Sequence, residues 1–157
     1  MTLRVGEILR ELNEADFRPD VQIADYWSEH NFDLLKHYIF TSQAPKGKKS
    51  SVELVRTFCD AFAPGATENR FVVIASYGHG KSHFALALAN YFGRENGAEE
   101  AKEVLRAIRH GIPDQDLGTY GFIEDFKQQH QPFLVLILRG DELSDLPTKV
   151  HRALKQA

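Results

Sequence analysis

Gly80, Lys81 and Ser82, separated from Ala75 by four residues and followed by His83, have the residue types and spacing of a loop that binds polyphosphate. The signature sets a glycine, four residues and then glycine-lysine-serine or glycine-lysine-threonine between a strand and a helix, and here Ala75 stands in the place of the first glycine. A polyphosphate carries several negative charges, so its loop must turn consecutive main-chain N–H groups inward, and glycine permits the positive φ angles and close approach this requires. Gly78 and Gly80 are the candidates. The Lys81 ammonium suits the β- and γ-phosphate oxygens, and the Ser82 hydroxyl suits Mg²⁺. His79 and His83 flank this pair. Each contributes a main-chain N–H to the anion cradle; a side-chain contact to phosphate or base is the sharper alternative.

Such a loop needs a strand to launch it and a helix to receive it. Phe71-Val-Val-Ile-Ala-Ser76 is a continuous apolar run of strand length, as expected of a strand buried on both faces of a parallel sheet. After the loop, Phe84, Ala85, Leu88, Ala89, Tyr91 and Phe92 recur at helical spacing around most of the circumference, which predicts a buried helix starting near Lys81 and stopping at Gly93. Its first-turn amides and dipole would act on the same anion.

The chain's 157 residues suffice for one domain with a real core. Its net charge of −3 does not call for a nucleic-acid partner, although Lys46, Lys48 and Lys49 in the loop 42–51 are placed to touch a phosphate backbone. Three lysines in a loop are more often simply solvated. One cysteine, Cys59, excludes an internal disulfide, and it lies on an apolar helical stripe with Val55, Phe58 and Phe62, which favours packing over reactivity. No apolar run reaches membrane-spanning length and the first residues are charged throughout, so a cytoplasmic location with no membrane partner is expected.

Taken in order, Val5, Ile8, Leu9 and Leu12 predict a first helix capped by Thr2. Residues 21–30 are ambiguous, with Val21, Ile23 and Trp27 expected to pack inward. Asn31 offers a cap for a helix carrying Leu34, Leu35, Tyr38 and Ile39 and ending near Thr41. Ser50 and Glu53 form a capping box for the helix that follows and closes at Pro64-Gly65. Ala101, Val104, Leu105 and Ile108 mark another helix, with acids in its first turn and bases in its last. Phe122, Ile123 and Phe126 suggest a short helix; Phe133-Leu-Val-Leu-Ile-Leu138 reads as a second buried strand; Val150 and Leu154 belong to a final helix after Pro147.

An ATPase of this type also needs an acid at a neighbouring strand tip to hold Mg²⁺, usually beside a glutamate that polarises water. Asp141 and Glu142 are the candidates, although Arg139 and Gly140 separate them from the apolar run; solvated or capping acids are the alternative. The expected fold class is therefore α/β: a phosphate-loop NTPase core with an incomplete parallel sheet flanked by helices, preceded by a helical N-terminal segment. Residues 1–66 form that segment, packing on the core, and residues 67–157 form the first part of the NTPase domain. Two strands are too few for a self-sufficient sheet, which points to truncation before the metal-binding acidic strand. Alternatively, a segment such as 21–25 pairs as a further strand and the domain stands alone.

Tyr77-Gly-His-Gly-Lys-Ser-His83, the following FALALANYF and the earlier Tyr38-Ile-Phe-Thr41 together resemble the opening section of the large P-loop ATPases of BREX and phage-growth-limitation defence systems, the BrxC and PglY proteins. The resemblance spans most of the chain and is specific over residues 71–92. It implies a longer parent that binds and hydrolyses ATP with Mg²⁺, works with other subunits of a defence complex and associates with DNA indirectly. It also implies that the metal-binding acidic strand lies beyond Ala157, leaving residues 133–142 structural. Gly78, Gly80, Lys81 and Ser82 carry over directly. A non-hydrolysing nucleotide sensor or scaffold, and less readily a small-molecule kinase, use the same loop; the guanine-reading N-K-x-D motif of GTPases is absent.

Overall fold

The computed structural model describes residues 21–74, 80–138, 140 and 143–157. Their regular structure is helical: α1 (Asn31–Lys36), α2 (Ser51–Asp60), α3 (Lys81–Gly93), α4 (Glu99–Gly111), α5 (Leu117–Gln129) and α6 (Leu146–Gln156), with 3-10 turns at Ile23–Trp27 and Asp114–Asp116. The helix expected near residues 2–12 lies outside the described residues.

The ends of these helices follow from local chemistry. Ser50 Oγ accepts the Glu53 N–H at 3.1 Å and Glu53 Oε2 accepts the Ser50 N–H at 2.7 Å, so the expected capping box opens α2. Asp145 accepts the Thr148 N–H at 2.9 Å and starts α6, with Pro147 in its first turn. α4 carries Glu99 and Glu100 at its positive end and Arg109 and His110 at its negative end.

α3 is the centre of the packing. The 3-10 turn at Ile23–Trp27, α1 and α4 pack against it, α1 also lies on α4, and α2 lies on α5. Leu35, Val52, Val55, Leu86, Tyr91, Ile108 and Ile123 are fully buried in the shared core. Burial of a side chain such as Leu86 contributes roughly 1.5–3 kcal/mol. Tyr91 crosses the core and donates its hydroxyl hydrogen to the Ile123 carbonyl at 2.6 Å. Cys59 lies 3.5 Å from that hydroxyl, and burial pushes its thiol up to about 11, in keeping with a packing role.

The expected α/β class is corrected by this structure. Among the described residues there is no β-strand and no sheet. The described part of the first run read as a strand, 71–74, and the whole of the second, 133–138, form no ladder with a neighbour among the described residues; the Phe133 N–H donates instead to the Phe92 carbonyl at 2.9 Å. Apolar composition favours a buried strand, but a strand is completed by main-chain bonds to a neighbour, which composition cannot supply.

Smaller corrections have local causes. The 3-10 turn buries Asp25 and Tyr26 and leaves Trp27 38% exposed, because a turn of this kind presents adjacent residues in different directions. α1 stops at Lys36, so Ile39 is exposed while Phe40 turns into the core. Asn31 is the first residue of α1 rather than its cap, and its side chain is committed to Asn90. α5 runs 13 residues, longer than the short helix expected.

Candidate functional site

Gly80 has φ +70° and ψ +21°, the left-handed conformation glycine adopts without steric cost, and α3 begins at the next residue. The first intrahelical bond runs from the Phe84 N–H to the Gly80 carbonyl at 2.8 Å. Ahead of it, the first-turn amides precede the helical ladder and have no acceptor within the helix. At α2 and α6 the chain supplies a capping side chain for this purpose. At α3 the N-cap is glycine, no side-chain cap bond forms and the first turn holds no acid. Lys81 is partly buried and Ser82 is exposed at this end. The local chemistry therefore fits an external anion: amides at a helix start, one cationic side chain and one hydroxyl of a size to ligate a hard cation.

Gly80, Lys81, Ser82 and His83 are thus brought together by the start of α3. Ala75, Gly78, His79, Asp141 and Glu142 lie outside the described residues. Among the described residues no cluster of three His, Cys, Asp or Glu side chains could hold a metal ion. Ser82 is exposed in the first turn of α3.

His83 turns toward α1 and Tyr38. Its Nε2–H donates to the Leu34 carbonyl of α1 at 2.6 Å, and its ring stands edge-on to Tyr38 at 5.0 Å between centroids. Burial, opposed by the Leu34 carbonyl and assisted by the charge of His37, holds the imidazole below its usual value, so the neutral form is favoured. Tyr38 was expected to be a helical core residue. It lies beyond α1, its ring 4.0 Å from the point a Gly80 Cβ would occupy, and burial pushes its hydroxyl up to about 12 despite a bond to Ser51. Tyr38 and Leu34 thus brace the start of α3, a role that spacing along the chain does not reveal.

A second brace holds the other end of α3. Asn31 and Asn90 exchange side-chain amide bonds of 2.8 and 2.9 Å in the core, and Asn90 also donates to the Leu86 carbonyl at 2.9 Å. Arg94 donates to Asn90 Oδ1 at 3.3 Å and to the Tyr26 carbonyl at 2.8 Å, with its guanidinium over the Tyr26 ring. α1 therefore ties α3 at His83 and at Asn90, two turns apart.

A cavity of about 780 Å³ lies along the flank of α3 at Ala85, Leu88, Ala89 and Phe92, not at residues 80–83. No described helix is long and apolar enough to cross a membrane. No protein-family model matches the chain, and neither the curated proteins nor the solved structures contain a match to it.

Proposed function

We propose that the turn leading into α3 binds the phosphates of ATP with Mg²⁺, on a scaffold of packed helices. The observation that carries this reading is the start of α3: Gly80 in the left-handed conformation hands directly to Lys81 and Ser82, and the N-cap glycine supplies no side-chain cap. Lys81 contributes charge to the β- and γ-phosphates, Ser82 a hydroxyl to the magnesium ion, and the main chain of residues 78–83 the amides of the cradle. His83 positions the helix through Leu34. The resemblance of residues 71–92 to BrxC and PglY supports placing this site in a bacterial anti-phage ATPase complex, where association with DNA is indirect.

Calorimetry with ATP, with and without Mg²⁺, tests the site. Lys81→Ala removes a charge-assisted contact worth about 1.5–3 kcal/mol, so affinity is expected to fall about tenfold or more. Unchanged affinity refutes the role of Lys81. Phosphate release with ATP and Mg²⁺, compared between the chain and Lys81→Ala, separates a hydrolase from a nucleotide sensor: turnover that is lost with Lys81 identifies the hydrolase.

A further inference from the structure

Ala153 is the one buried residue of α6, so this helix does not close the space it shares with the 3-10 turn at Ile23–Trp27 and with residues 137–138. A cavity of about 380 Å³ remains there. That volume lies within the range of small-molecule sites and far exceeds the room one water needs.

The lining divides into two kinds of surface. Ile137, Leu138 and the indole of Trp27 give it an apolar side. The buried Tyr26 ring stands edge-on to that indole, with centroids 5.4 Å apart and planes at 85°, which fixes the plane of the indole. Lys149, Arg152 and Gln156 are spaced i, i+3 and i+7 along α6 and share one face, and with Ser28 they form the polar side. Ser28 Oγ accepts the His30 N–H at 3.1 Å, a bond that does not use its hydroxyl hydrogen. Lys149 and Arg152 each take part in another interaction, and the several N–H donors of an ammonium or a guanidinium serve more than one acceptor. Among the described residues that line the cavity there is no carboxylate.

We infer that this cavity binds a small aromatic oxyanion, its planar ring against Trp27 and its carboxylate or phosphate on Arg152 and Lys149. The planar fork of a guanidinium matches an acid with two oxygens, and the Lys149 ammonium adds a second positive charge on the same face. Ser28 and Gln156 supply neutral donors beside them. An inorganic anion would leave the apolar side wet, and an uncharged ring would draw nothing from the two cations. The site is distinct from the start of α3 and does not depend on the phosphate reading.

Trp27 is the only tryptophan of the chain, so its emission reports on the cavity directly. The test titrates the full chain with phenyl phosphate and with benzoate, following Trp27 fluorescence and, in parallel, heat. A saturable change with at least one of them is expected; none in either signal refutes the site. Inorganic phosphate, the anion without the ring, and benzyl alcohol, the ring without the anion, should each bind about tenfold or more weakly. Inorganic phosphate binding as well as phenyl phosphate refutes the stacked ring, and benzyl alcohol binding as well as benzoate refutes the role of the cations. Arg152→Gln and Lys149→Gln, with helicity checked by circular dichroism, should each weaken binding about tenfold, and unchanged affinity in both overturns the inference. The probe comparison on the unaltered chain stands whether or not those variants fold. Lys81→Ala should leave the Trp27 response as it was; its loss there would assign the response to the phosphate turn and overturn the inference.

Discussion

Asn31 and Asn90 offer a direct measure of what holds the helix of the proposed phosphate site in place. Asn90 is fully buried and Asn31 is 3% exposed, and the two amides satisfy each other at 2.8 and 2.9 Å. With the Leu86 carbonyl and the Arg94 guanidinium, every donor and acceptor of Asn90 is used. In Asn90→Leu, the Leu86 carbonyl keeps its helical bond and Arg94 keeps the Tyr26 carbonyl, so the main loss is a buried Asn31 amide without its partner. That penalty is about 1–3 kcal/mol for the orphaned group, added to the net worth of the lost bonds, or roughly 2–4 kcal/mol in all. Asn31→Leu leaves the converse orphan and should cost a similar amount.

The double variant Asn31→Leu with Asn90→Leu removes both partners and puts apolar groups of similar shape in their place. It should cost less than either single change, giving a coupling energy of about 2 kcal/mol or more. Urea denaturation with an unchanged slope reads this as midpoint shifts; heating reads it as about 2–4 °C for each kcal/mol in a chain of this size. Additive single effects would refute the account, because they would mean the two amides are satisfied independently of one another. Since α1 also holds His83 through Leu34, the single variants should loosen the start of α3 as well, seen as faster amide exchange at residues 82–84.

Three further stability predictions follow from local geometry. Ser50→Ala removes the acceptor for the Glu53 N–H and should cost about 1 kcal/mol in denaturant unfolding. The Ser50 amide and hydroxyl hold the Glu53 carboxyl below its ordinary 4.5, so folding opposes its protonation. The contribution is present above that value and lost as the pH falls through the lower folded value, and Glu53→Gln should flatten this part of the acid limb. Gly93→Ala would bring a Cβ to 2.7 Å from both the Tyr26 hydroxyl and Val135 Cγ2. The overpacking cost of about 1–3 kcal/mol exceeds or matches the gain in helix propensity of about 1 kcal/mol, so a net loss is expected, with partial recovery in Gly93→Ala with Val135→Ala.

The parts of this fold that were legible in the sequence are those decided within a few residues. The Ser50–Glu53 box and the acids and bases at the two ends of α4 depend on side chains within one turn of their own helix, and the start of α3 at Lys81 on the backbone freedom of Gly80. The parts that were not legible depend on partners distant along the chain. Asn31 reads as a cap because asparagine favours that position, yet a residue 59 positions away claims its amide. Nothing near His83 announces that its ring serves the Leu34 carbonyl. The same distinction explains the two apolar runs. Their composition specifies extended, apolar segments, and the structure places both along α3; whether such a segment becomes a strand is decided by a neighbour's main chain. An α3 that is apolar on two flanks, one covered by α1 and α4 and the other lined by extended segments, is therefore the consistent element of both readings. The covered flank fixes where Lys81 and Ser82 stand.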